Sequence, residues 1–307
     1  GIMLMNISTG SLAQLTNQDD AFLPVSDLRF SQNPSIDGDR VVWTEHEGVS
    51  HSSVDGGKIV IFNLTTGENQ YLPTGSPGHQ STPMISGNFI LWKDYRSHGP
   101  DDPELYLYDL MNGTEERLLT ENPVKSTPYI SGDDVVWTEE IHGIHTIIHY
   151  SIASRVRTVV GQGSVHQGHL PPISDERVAW LQSMNPFDFR DSRSAIMVMD
   201  LRTGEKTQIT PFRRGLSHPV ISGEYIIYTR GAGDDWSREP REVVLHTLSS
   251  RPGETGMSDT GRSNSHSPVN SSLNQGGAIP PTSSPGFAYI TLIGGCITAL
   301  ALRKVLR

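Results

Sequence analysis

The chain has almost no cysteine: Cys296 is the single thiol among 307 residues. That excludes an intramolecular disulfide and removes any thiol argument for an oxidising compartment. It also has no surplus of basic charge. The 24 Lys and Arg are outnumbered by 34 Asp and Glu, giving a formal net charge of −10. No Lys/Arg stripe is present, so the electrostatic footprint of a nucleic-acid binder is absent. Helical periodicity is missing throughout, which excludes a helical solenoid. The local signatures of common catalysis are missing too: no Gly-x-Ser-x-Gly elbow, no His-Glu-x-x-His, no phosphate-cradling loop and no dinucleotide fingerprint. Aromatic residues are sparse at 7% and the hydrophobic fraction is 35%, which suits short strands better than long buried helices.

What the chain has is punctuation. It carries 30 Gly and 20 Pro, and many of them recur in register. The block Pro83-Met84-Ile85-Ser86-Gly87-Asn88-Phe89-Ile90-Leu91-Trp92 returns at residues 34–43, 128–137, 171–180 and 219–228. Its aromatic ends, Trp43, Trp92, Trp137, Trp180 and Tyr228, return at intervals of roughly 46 residues, the length of one propeller blade. A second block, Leu105-Tyr106-Leu107-Tyr108-Asp109-Leu110-Met111-Asn112-Gly113, alternates with the first. It is matched at residues 2–10, 59–67 and 196–204, and more loosely at 147–155 and 243–251, where Arg155 and Arg251 replace the turn glycine. Each block supplies two short segments rich in Val, Ile, Leu and Tyr, split by a turn where Gly accepts positive φ. Four short strands per unit are expected, with the repeated Trp packed between units.

The run Leu-Tyr-Leu-Tyr-Asp-Leu-x-x-Gly-x-x-x-x-Leu-Leu-Thr over residues 105–120 resembles the repeat of TolB-like β-propellers, and the likeness extends over residues 2–251. It implies an all-β fold, a six-bladed ring of four-stranded blades. Five copies of the first block and six of the second are present. The expectation is therefore a first blade incomplete here, in a chain that begins at Gly1 as a fragment or after removal of a leader. The last copy lacks a clear final strand.

The repeat stops near residue 251. Residues 252–284 are rich in Ser, Gly, Pro, Asn and Thr, too polar to bury a core, and read as a flexible linker. Then follow Pro285-Gly286-Phe287, an apolar run over 287–302, and Arg303, Lys304 and Arg307. As a helix the run would span about 24 Å at about 1.5 Å per residue, slightly short of the about 30 Å of a bilayer core. A transmembrane helix over 287–302 is expected, with the basic end cytoplasmic and the propeller outside. The segment 285–307 resembles the PGF-CTERM sorting signal of archaeal surface proteins. Carried onto Pro285, Gly286 and Phe287, that resemblance implies an archaeosortase-type processing enzyme as a partner and a membrane-anchored place at the cell surface.

Four glycosylation acceptors are present at Asn6, Asn63, Asn112 and Asn270. The first three are read as occupying one repeat position, shared with Asp109 and Asp200.

In a propeller the loops from strand four to the next strand one share a face with the loops from strand two to strand three. The first set carries His79, Lys125, His169 and His218; the second carries Asp101, Asp102, Asp234, Asp235 and Trp236. These are the candidate ligand face, because long variable loops on one side of a repeat array commonly bind. His79, His169 and His218 are also readable as transition-metal ligands, and the Asp pairs as calcium ligands, but no spacing fixes either site, so no metal or other cofactor is assigned. Trp236, Phe187 and Phe189 also lie in these loops: exposed, they would stack on a sugar or anchor a protein partner; buried under the loop, they would be ordinary packing. The function expected is a non-catalytic binding module for a surface protein or glycan. The alternative is a polysaccharide lyase or hydrolase with its site at the central opening.

Overall fold

Strand, tight turn, strand is what each block encodes, and it is how each folds. The computed structural model describes residues 1–16, 29–47, 57–75, 79–97, 102–118, 120–122, 124, 126–162, 172–185, 191–231, 241–249, 288–293 and 296–302. The first sheet has two strands, β1 (Met3–Met5) and β2 (Leu12–Gln14). Four four-stranded antiparallel sheets follow. The second blade is β3 (Arg29–Asp37), β4 (Arg40–Glu47), β5 (Lys58–Asn63) and β6 (Asn69–Tyr71). The third is β7 (Gln80–Ser86), β8 (Phe89–Asp94), β9 (Glu104–Asp109) and β10 (Thr114–Leu118). The fourth is β11 (Tyr129–Ser131), β12 (Asp134–Ile141), β13 (Ile144–Ser151) and β14 (Val156–Gln162). The fifth is β15 (Ile173–Ser174), β16 (Arg177–Ser183), β17 (Ser194–Asp200) and β18 (Lys206–Gln208). The sixth has three strands among the described residues, β19 (Val220–Ser222), β20 (Tyr225–Gly231) and β21 (Arg241–Thr247). The meander of four-stranded sheets is a β-propeller.

The repeated aromatic is the mortar between blades. Trp92 is fully buried against Val42, Ile59 and Ile61 of the second blade. Trp137 packs on Leu91, Leu105 and Leu107 of the third, and Trp180 on Val136, Ile147 and Val160 of the fourth. Tyr228 packs on Ala179 and Leu181 of the fifth. Every one reaches back to the preceding sheet. Burying a large aromatic at each seam is the main apolar term holding neighbours together.

The serine of the first block ties blades by hydrogen bonds as well as turning the chain. The Gly132 N–H donates to Ser86 Oγ of the preceding blade at 2.9 Å, and the Gly223 N–H to Ser174 Oγ at 3.0 Å. In the second blade Asp37 fills that position, and the Gly87 N–H donates to its carboxylate at 2.6 Å. The turn glycines adopt positive φ, as at Gly87 (55°), where a Cβ would be strained. In the fourth blade Arg155 holds φ 58° without being glycine.

Outside the blades, Ala288–Ile293 and Cys296–Leu302 pair antiparallel as β22 and β23. Among the described residues no helix is long and apolar enough to cross a membrane. One sequence expectation differs from the structure: Asn112 does not share the position of Asn6 and Asn63. Asn6 Oδ1 accepts from the N–H of Ser8 and Thr9, and Asn63 Oδ1 from those of Thr65 and Thr66. The equivalent residue in the third blade is Asp109, which accepts from Met111 and Asn112 themselves. Asn112 stands three residues further on, at the end of the turn. Asn270 and the linker lie outside the described residues, as do Pro285, Gly286, Phe287, Arg303, Lys304 and Arg307.

Candidate ligand face

The ends of strands two and the beginnings of strands one and three define the face where the long loops emerge. Just beneath it, the third, fourth and fifth blades repeat a small polar device. Two residues after the tryptophan comes a hydrogen-bond acceptor for its indole N–H. Trp92 donates to Asp94 at 3.0 Å, Trp137 to Glu139 at 2.9 Å and Trp180 to Gln182 at 3.1 Å. Asp94 and Glu139 are both fully buried, so each carboxylate needs a cation. Asp94 takes Arg96 at 2.6 Å, and Arg96 also reaches Glu115 at 2.9 Å while stacking 4.1 Å from the Tyr106 ring. Burial alone would disfavour the Arg96 cation. The hydrogen bond and field of Asp94, then Glu115, more than offset it and hold its pKa above the usual arginine value. Glu139 takes Arg157 at 2.8 Å and an amide N–H of Asn122 at 3.1 Å. Glu104 takes Arg117 at 2.6 Å.

The predicted face residues fall among and beyond this network. His79 is exposed, with φ 71°, at the entry to the third blade. His218 is half-buried at the entry to the sixth, and burial pushes its pKa down. Asp102 is half-buried next to β9. His79 and His218 thus stand at the entries to two different blades. Lys125, His169, Asp101, Asp234, Asp235 and Trp236 lie outside the described residues. Among the described residues no group of three or more His, Cys, Asp or Glu is arranged to hold a metal.

Two features escaped the sequence reading. One is Lys93, in β8 between Trp92 and Asp94. It is half-buried, makes no hydrogen bond or ion pair among the described residues, and burial pushes its pKa down to about 8. The other lies on the opposite face, at the seam of the fourth and fifth blades. A cavity of about 250 Å³ is lined there by Asp134, His149, Thr158, Glu176 and Arg202, among others. His149 Nε2 lies 2.7 Å from Asp134 Oδ1 and its Nδ1 lies 3.1 Å from Thr158 Oγ1. An ionised carboxylate can only accept, so Nε2 carries the proton; in the neutral ring Nδ1 then accepts from the threonine hydroxyl. On β14 Thr158 is the register partner of His149, while on β12 Asp134 stands two residues from its partner Val136 and reaches it diagonally. Nothing in the local sequence marks it, because His149 sits in one of the looser repeat copies.

The comparisons agree with this architecture. No protein-family model matches the chain, and no curated protein matches it. Solved structures do. The propeller domain of the Trilobed protease from Pyrococcus furiosus matches at 13% identity and a TM-score of 0.55, over 72% of this chain and 69% of that one. An oligogalacturonate lyase in complex with manganese matches at 11% identity and 0.55, over 80% and 71%. A protein assigned as TolB from Agrobacterium tumefaciens matches at 18% and 0.50, over 80% and 84%. Of several other solved chains this one spans only 38% to 47%. At such identities the likeness is one of fold. The protein is a β-propeller. More narrowly, its fold is TolB-like, as the repeat over residues 105–120 led us to expect.

Proposed function

We propose that this chain is a non-catalytic binding module, held on the outer side of the membrane by its C-terminal segment. It offers the face of strand two-to-three and four-to-one loops to a surface protein or glycan. The observation that supports this most is the state of the buried acids under that face: Asp94, Glu104 and Glu139 are each held by an arginine. A general base has to be free to take a proton at the reacting group, and these carboxylates are committed to holding loops and blades in place. The anchoring part of the proposal draws on the apolar run 287–302, the basic cluster after it and the Pro285-Gly286-Phe287 motif, with an archaeosortase-type enzyme as the processing partner. The test is titration of the immobilised full chain with purified surface glycans and surface proteins of its host. Saturable binding, weakened by substitutions at His79 and Asp102, supports the reading. Turnover of a surface polysaccharide without saturable binding overturns it.

One observation favours a second reading. The Asp134–His149–Thr158 relay has the connectivity of an activated hydroxyl, with an acid fixing the imidazole tautomer. A hydrolase working there would use the cavity of about 250 Å³ between the fourth and fifth blades, not the central opening. Ester turnover abolished by both Thr158→Val and His149→Asn would establish it.

A further inference from the structure

The position after the repeated aromatic is occupied by Thr44, Lys93, Thr138, Leu181 and Thr229 in successive blades. Four of the five are uncharged. Thr44, Thr138 and Leu181 are buried, so the lysine stands in a slot that the fold otherwise fills with an uncharged side chain. Its register partners are Ser81 on β7 and Leu105 on β9. Directly opposed residues of an antiparallel pair project from the same face of the sheet. Leu91 and Leu105 pack against the fourth blade, so Lys93 and Ser81 are turned the same way. Ser81 is only 2% exposed, and its hydroxyl has no hydrogen-bond partner.

Two neighbouring polar groups on one patch, a cation and a hydroxyl, are thus both unsatisfied. A buried charge and a buried hydroxyl each carry a desolvation cost that a partner has to offset. Among the described residues the neighbouring cations already have theirs, since Arg96, Arg117 and Arg157 hold Asp94, Glu104 and Glu139. We infer that Lys93 and Ser81 form a receptor for a carboxylate, at the seam of the third and fourth blades under the ligand face. The ammonium supplies the opposite charge and the hydroxyl a second donor. Among the described residues of this patch Lys93 is the one cation without a partner, and a single ammonium matches a monoanion such as a carboxylate. The inference deepens the binding reading above and rests on it, naming an acidic group as what the face takes.

The full chain is labelled with limiting acetic anhydride at pH 8, alone and with sodium glucuronate, sodium acetate or glucose. Acetylation of Lys93 is read by peptide mass spectrometry against exposed Lys206 as reference. Glucuronate and acetate are expected to slow labelling of Lys93 at least about 5-fold and glucose not at all, since a bound carboxylate favours the protonated, unreactive amine. In calorimetry, Lys93→Met abolishes glucuronate binding and Ser81→Ala weakens it about 5- to 10-fold, the worth of one hydrogen bond. Lys93→Met removes an unpaired buried charge, so it stays folded and its loss of binding is interpretable. Equal labelling with and without the acids at saturating concentration overturns the inference. If wild type and Lys93→Met hold a surface partner equally well and no acid protects Lys93, this site fails and the binding module stands. If the acids protect Lys93 but no surface partner binds, the site stands and the module reading fails.

Discussion

Lys93→Met is expected to stabilise the protein, and by an amount that depends on pH in a defined way. Burial displaces the lysine from 10.5 to about 8, which at about 1.4 kcal/mol per pH unit corresponds to about 3 kcal/mol of destabilisation at neutral pH. The sign follows from proton linkage. Between pH 8 and 10.5 the unfolded chain retains a proton that the folded chain has released, so wild-type stability rises with pH across that window. Below pH 8 both states are protonated and the whole cost of burying the ammonium is in force. Above 10.5 neither is, and the cost vanishes. Methionine has a similar length and no charge, so the variant lacks this dependence. The gap between variant and wild type should be widest below pH 8, near 3 kcal/mol or about 6–12 °C in Tm, and close as pH approaches 10.5. Urea unfolding of both proteins at several pH values between 7 and 10.5 measures it, and the difference cancels titrations common to both. A variant no more stable than wild type, or a gap that does not change with pH, would falsify the claim that Lys93 is an uncompensated buried cation.

Other expectations test the seams and the buried network. A Cβ on Gly161 would lie 2.8 Å from the Trp180 ring of the next blade, so Gly161→Ala should cost about 1–3 kcal/mol by overpacking, read as a lower urea midpoint and a change in tryptophan fluorescence. Asp94→Ala strips the acceptor from Trp92 and the main partner from Arg96; breaking such a pair typically costs about 3–5 kcal/mol, and denaturation should show it. Ser86→Ala leaves the Gly132 N–H of the fourth blade without its hydroxyl acceptor, at a cost of about 1 kcal/mol or less because the bond is exposed. His218 has its pKa lowered by burial, so the unfolded chain gains its proton first on acidification. Stability should fall as pH drops below about 6.5, and His218→Gln should remove that part of the acid loss in the same unfolding assay.

The fold was legible because the repeat states it five times over. Ser-Gly and Thr-Gly turns, strand-length apolar segments and an aromatic at each blade's second strand all require the same arrangement, and each copy checks the others. The apolar tail had no such internal check. Periodicity alone does not tell a helix from a strand pair in a short apolar run of mixed Ile, Thr, Leu and Ala. The misplacement of Asn112 has a similar origin: an acceptor sequon is read three residues at a time, whereas repeat position is fixed by the turn as a whole. Aligned on Gly10, Gly67, Gly113 and Gly204, the turn places Asp109 with Asn6 and Asn63 and moves Asn112 out of the set.

The site was less legible because histidines and acids are conspicuous in loops, whereas the unsatisfied chemistry sits within strands. A loop histidine such as His79 can be hydrated whatever its neighbours are, so its identity carries little physical demand. Lys93 differs: strand β8 and the neighbouring blade fix its surroundings and leave water little room to serve in place of a partner. The repeat itself marks the departure. Four blades place Thr44, Thr138, Leu181 and Thr229 after the aromatic, and a charge in that slot carries a desolvation cost that those residues do not. In a repeat protein the copies act as controls for one another. A departure from the shared residue type at a buried position is therefore a sharper pointer to a ligand than a polar residue in a loop, where no packing constraint exists to be broken.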